Sequence, residues 1–164
     1  MPRKKNTRGF TLLEAVVALA VYSIFAVSAS RLLLYASQAS ANIIARSQAF
    51  ENARAAADAL AANAELAIKI EITTYADGSL DEIILTEPIA AGMPTHQYLF
   101  VFTGGSLHLG QRGNTNEFVS GLHAVRVFAQ PHGYLTVEAE AAGTSAVVSR
   151  VVYVGYKDVE IKIK

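Results

Sequence analysis

The chain contains no cysteine and no tryptophan, and only four prolines in 164 residues. Without cysteine there is no disulfide framework, no thiolate metal site and no cysteine nucleophile. Charged residues are also scarce, at 17% against 52% hydrophobic, which excludes a disordered or acidic-tail protein. The length suits one domain plus an appendage, not two full domains. Four of the fourteen basic residues (Arg3, Lys4, Lys5, Arg8) lie in the first nine positions, leaving ten basic against fourteen acidic residues over 10–164, a net charge of −4. A basic surface able to hold nucleic-acid phosphates is therefore not expected on the body. Glycine and proline are both missing from residues 10–77, a run of 68. Its first three-quarters is made mostly of good or tolerated helix formers, and a helix over 10–67 would be roughly 87 Å long.

What is present at the front is an apolar stretch behind a basic leader. Residues 15–30 carry no charge, and Arg31 ends that run. Taken from Phe10 to Ser30, the segment makes roughly 31 Å of helix, enough to cross a bilayer core. Basic residues precede it, whereas Arg31, Arg46 and Arg54 beyond it are interleaved with Glu51, Asp58 and Glu65. The positive-inside bias places the amino terminus in the cytoplasm and the rest across the membrane. Glu14 interrupts the segment. A carboxylate at membrane depth costs on the order of 2.5–3.5 kcal/mol and requires a partner. No Lys or Arg lies between Phe10 and Ser30. A second molecule or a newly made α-amino group would supply the cation; the alternative is that Glu14 sits at headgroup level and snorkels.

The run Arg8-Gly9-Phe10-Thr11-Leu12-Leu13-Glu14-Ala15 resembles the processing and methylation site of type IV pilins and type II secretion pseudopilins. The resemblance covers about residues 1–35. It implies that a prepilin peptidase cuts between Gly9 and Phe10, where a side chain on Gly9 would not be tolerated, and that the new amino group of Phe10 is methylated. It further implies that Glu14 pairs with the amino terminus of a neighbouring subunit during assembly. Leu12, Leu13, Val16, Val17, Leu19 and Val21 would then bury against neighbouring helices. An ordinary secretory signal is the competing reading, with Leu12 to Phe25 as its apolar core and cleavage after Val27-Ser28-Ala29. An acid inside the apolar core, and a helical pattern that continues past the cut, weigh against it.

Beyond the apolar segment, Ile43, Phe50, Ala57 and Ala64 repeat every seven residues, with Ala53, Leu60 and Ile68 at neighbouring positions. This predicts one apolar stripe on the helix. From residue 68 the period changes to 2. Ile68, Ile70 and Ile72 alternate with Lys69 and Glu71, which predicts a half-buried strand. Turn residues at 76–79 lead to a strand over 80–86, and 88–94 reads as a loop. Further strands are expected at 98–102, 107–109, 122–129, 134–139, 147–153 and 159–163, with 110–116 as a polar surface loop. Six to eight strands without a second helix predict a largely antiparallel sheet, and a long helix lying on it is the two-layer α+β solution. The chain thus divides into a leader (1–9), a membrane or filament-core half of the helix (10–30), an outer half packing on the globular part (31–67) and a β-rich domain (68–164).

No catalytic constellation emerges. His96, His108, His123 and His132 are scattered and lack the spacing of a zinc site. Asp77, Asp81 and Glu82 are close enough in sequence to consider for Ca²⁺, but lack EF-hand order and fit a solvated hairpin rim better. The glycine-containing run 110–114 has no Walker lysine, and no G-x-S-x-G elbow occurs. A structural subunit with no cofactor, no metal and no enzymatic role is expected. The resemblance implies a minor pilin or pseudopilin of a type IV pilus-like filament, serving type II secretion, pilus biogenesis or DNA uptake. The order of features is similar to the J-like minor pseudopilins: a short leader, Leu-Leu-Glu, Arg31 soon after the membrane part, and a cysteine-free, strand-rich carboxyl half. Implied partners are the prepilin peptidase, other pilin subunits, the inner-membrane assembly platform and the membrane itself. Direct nucleic-acid binding is not expected. The implied location is the cytoplasmic membrane, crossed once, with the globular part outside. The alternative is a membrane-anchored or secreted extracytoplasmic binding domain with no filament role.

Overall fold

The structure, a computed structural model, describes residues 11–88, 96–111, 113–155 and 157–164. The leader, Gly9, Phe10 and most of the 88–94 loop lie outside the described residues. Helix α1 spans Leu12–Leu66. Nine strands follow: β1 (Lys69–Thr74), β2 (Leu80–Glu87), β3 (His96–Thr103), β4 (Ser106–Gln111), β5 (Asn114–Val119), β6 (Leu122–Gln130), β7 (Tyr134–Ala141), β8 (Val147–Tyr153) and β9 (Asp158–Ile163). The chain divides into two units, Met1–Ile43 and Ile44–Lys164.

In the first unit, the described residues are one helical stretch without a packed core, and its large apolar side chains are exposed. The hydroxyls of Ser23, Ser28 and Ser30 donate to the carbonyls of Leu19, Ile24 and Ala26, four residues back. These three hydroxyls are thereby satisfied inside the helix, as an apolar surrounding requires.

The second unit is α+β. From α1 it buries Ala53, Ala56, Ala57, Leu60, Ala61 and Ala64, spaced by threes and fours along one face. Five of the six are alanine, so the helix backbone approaches the strands closely, and Leu60 is the one large side chain in the stripe. Ile43, Phe50 and Ile68, which the heptad spacing places in this stripe, are exposed. Ile43 precedes the stretch that packs, Phe50 lines an open groove with residues 147–150 of β8, and Ile68 lies past the helix end.

Two sheets share the core, where the alternation alone suggests one. The larger has the order β5-β4-β3-β2-β1-β9, and the smaller the order β6-β7-β8. All pairs are antiparallel except β1 with β9. In the larger sheet, Ile72 is opposite Ile83, Ile83 opposite Phe100, and Phe100 opposite Leu109. The smaller sheet adds Val125, Val127, Leu135, Val137, Ala139, Val148 and Val152 to the same cluster. Among the described residues, the backbone joins the two sheets at an isolated bridge between Ser79 and Arg126. The stretch read as a surface loop, 110–116, is taken up largely by strand: 110 and 111 end β4, and 114–116 begin β5. As an edge strand β5 exposes Asn114, Asn116, Glu117 and Phe118, so no apolar alternation marks it in the sequence.

Three polar contacts fix α1 on this unit. Asn52 Nδ2 donates to the Ser120 carbonyl at 2.9 Å. Arg150 Nε, on β8, donates to the Asp58 carboxylate. Lys157 Nζ donates to the carbonyls of Ala64 and Glu65 at the last helical turn, where unpaired carbonyls accumulate and a cation is favoured.

Candidate processing and assembly site

The helix begins at Leu12, with Thr11 immediately before it. Thr11 donates to Glu14 Oε2 twice, from its backbone N–H at 2.9 Å and from its hydroxyl at 3.0 Å. The Glu14 N–H in turn donates to the Thr11 hydroxyl oxygen at 3.3 Å. This reciprocal pair is a capping box, which satisfies otherwise unpaired donors at a helix start. A negative charge in the first turn is also favoured by the helix dipole. Among the described residues, the partners of the Glu14 carboxylate are thus the neutral donors of Thr11. The Thr-x-x-Glu spacing that signals such a box is plain in the sequence; attention to charge alone passes over Thr11.

After the box comes an apolar surface that the described residues leave uncovered. Leu12 is 86% exposed and Leu13 73%, and Val16, Val17, Leu19 and Val21 are exposed as well. These six share one helix with Glu14 and, together with the exposed Tyr22, Ile24 and Phe25, surround it on all sides, as expected when the surrounding is apolar in every direction. The segment is long and apolar enough to cross a membrane, and its most apolar part is not buried within the protein. A core helix of a water-soluble domain would be mostly buried. Gly9 and Phe10, the expected processing positions, lie outside the described residues.

The other candidates do not come together as a site. His96 is on β3, His108 on β4, His123 on β6 and His132 in the 3-10 turn Pro131–Gly133. Asp77 accepts from the backbone N–H and hydroxyl of Ser79, closing its own turn. Asp81 accepts from the Tyr75 hydroxyl at 2.7 Å and from Lys164 Nζ at 3.0 Å. The Tyr75 bond holds its carboxyl below the ordinary value of 3.8; burial opposes this, and Lys164 adds to the lowering. Glu82 faces Thr73 and Val101 across the sheet. Among the described residues no group of three or more His, Asp or Glu is placed to hold a metal ion.

A family model described as the prokaryotic N-terminal methylation motif matches residues 4–30. No curated protein and no solved structure matches the chain. The matched segment takes in Gly9, Phe10 and Glu14 and runs into the uncovered apolar helix. A methylation motif followed by such a helix, with an α+β unit beyond it, fits a type IV pilin or pseudopilin.

Proposed function

We propose that this protein is a minor pilin or pseudopilin, a structural subunit of a type IV pilus-like filament serving type II secretion, pilus biogenesis or DNA uptake. The observation that carries the reading is the methylation motif continuing directly into an apolar helix that nothing among the described residues covers. Such a surface needs lipid before assembly and neighbouring helices afterwards. The subunit is stored in the cytoplasmic membrane with its amino terminus inside, cut between Gly9 and Phe10 by a prepilin peptidase, and methylated on Phe10. Extraction by the assembly platform then replaces lipid around Leu12, Leu13, Val16, Val17, Leu19 and Val21 with the helices of other subunits.

Glu14 gives the exchange its register. In the isolated chain its carboxylate is held by Thr11, so the charge is tolerated during storage. A neighbour's Phe10 ammonium would add a charged partner in a low-dielectric setting, where ion pairing is strong and misplacement is costly. A short leader, Leu12-Leu13-Glu14, Arg31 and a cysteine-free strand-rich half support a J-like minor component.

The intact mass of the protein recovered from cells tests the assignment. Loss of residues 1–9 with gain of one methyl group is the expected result. Loss of 1–29 would replace it with simple secretion, and an uncut amino terminus would replace it with a plain membrane anchor.

A further inference from the structure

Between Glu14 and Arg46 the chain has a single charged residue, Arg31. It lies on α1 immediately after the nineteen residues 12–30, which span about 28 Å, close to the thickness of a bilayer core. Leu32, Leu33 and Leu34 follow it and are exposed, so the guanidinium is flanked by apolar side chains on both sides. Among the described residues it forms no ion pair. Tyr35 and Gln38 follow at four and seven residues, on the same helix face. With Leu34, these three side chains line one shallow depression. Tyr35 is 69% exposed.

We propose that Arg31, Tyr35 and Gln38 form a lipid-headgroup site that sets the outer boundary of the membrane-stored subunit. This rests on the reading of residues 10–30 as a membrane span. The occupant is the phosphodiester of a lipid in the leaflet opposite the amino terminus. A guanidinium with no carboxylate beside it complements that charge and can donate two parallel hydrogen bonds to it. Tyr35 has the apolar ring and polar tip that favour the membrane–water interface, and Gln38 offers a further amide donor one turn outward. The site is continuous with the span: a membrane core beginning at Leu12 ends where the guanidinium stands. The basic leader on one side and Arg31 with Tyr35 on the other would hold the helix at a fixed depth until extraction. Withdrawal into a filament would then break a defined set of headgroup contacts as well as remove apolar surface from lipid.

The absence of cysteine allows a direct test with the full chain. Single substitutions Ala36→Cys and Phe25→Cys are spin-labelled in vesicles of phosphatidylethanolamine and phosphatidylglycerol, and depth is read from collision with oxygen and with a water-soluble nickel reagent. The label at 36 is expected at headgroup depth and the label at 25 near mid-bilayer. Adding Arg31→Leu should shift the label at 36 towards the hydrocarbon, while Arg31→Lys should leave it largely in place. A label at 36 that lies deep or fully in water, or that ignores Arg31→Leu, overturns the proposal while the label at 25 still supports a membrane span. Shielding of position 36 from both reagents would place a neighbouring subunit on this face instead, and also overturns it. A label at 25 in water removes the membrane reading and this inference together.

Discussion

Thr11 and Glu14 hold each other at the start of α1: one carboxylate oxygen receives both donors of Thr11, and the hydroxyl of Thr11 receives the N–H of Glu14. The residue proposed to pair with a neighbour therefore already has a structural task in its own chain. The two tasks differ in what they require. Capping needs an acceptor oxygen, whereas pairing with an ammonium needs a negative charge.

Substitution separates them. Glu14→Gln keeps an acceptor and the capping-box pattern but removes the charge. It should insert into the membrane as well as the parent or better, and be poorly incorporated into filaments. Thr11→Val keeps the charge and loses the cap, weakening the helix start by about 1 kcal/mol with a smaller effect on incorporation. Fractionation of sheared filaments and membranes reads both, and Glu14→Gln filaments at parental levels would rule out charge pairing.

Gly9→Phe places a large side chain at the proposed cleavage position. The leader should remain attached and the amino terminus unmethylated. Intact mass spectrometry of the membrane fraction checks this, and recovery of a chain beginning at Phe10 would remove the peptidase assignment.

Asp81 links two parts of the second unit, accepting from Tyr75 and from Lys164. Its carboxyl is held below the ordinary value of 3.8, first by Tyr75. A depressed folded value means that this contribution is full above the unfolded pKa and is lost as pH falls through the folded one. Asp81→Asn should lower stability near neutrality and flatten its decline below about pH 4. Thermal melts of the detergent-solubilised chain across that range measure the slope; parallel curves for parent and variant would show that Asp81 plays no such part.

Lys157 reaches from the segment before β9 to the carbonyls of Ala64 and Glu65. Desolvation there pulls its pKa below the ordinary 10.5. Lys157→Met retains much of the stem and removes the charged donor, and should cost about 1–2 kcal/mol. The loss appears as a lower midpoint in denaturant, with faster amide exchange in the final helical turn.

Gly133 has a φ of +78°, and a Cβ added to it would overlap the carbonyl oxygen of Gly155. The Gly133 carbonyl accepts from the N–H groups of Val154 and Gly155, so the two chain reversals are pressed backbone to backbone. Gly133→Ala should destabilise the second unit by about 1–3 kcal/mol through the strained φ, with more from the overlap. Gly143→Ala, also at positive φ but with open space around it, is the comparison that isolates the contact in the same melts.

The sequence by itself determined the helix, because no glycine or proline interrupts it, 15–30 are too apolar to face water, and the change to a period of 2 at residue 68 marks its end. It also determined which residues of most strands point inward, since alternation has only two phases. Strand pairing was decided by the tertiary structure. The period of 2 is the same for a strand in either sheet, so the transfer of β6, β7 and β8 to a second sheet, and the return of β9 beside β1, leave no local trace. The same holds for β5, whose edge position lets polar residues occupy both faces. The helix stripe was legible only where cover exists: Ala53 to Ala64 are buried by strands distant in sequence, while Ile43 and Phe50, equally apolar and in the same heptad register, are not. At the amino terminus the balance is reversed. Residue order alone carries the methylation motif there; the fold adds what only geometry gives, that Thr11 holds the carboxylate of Glu14 at the start of the helix.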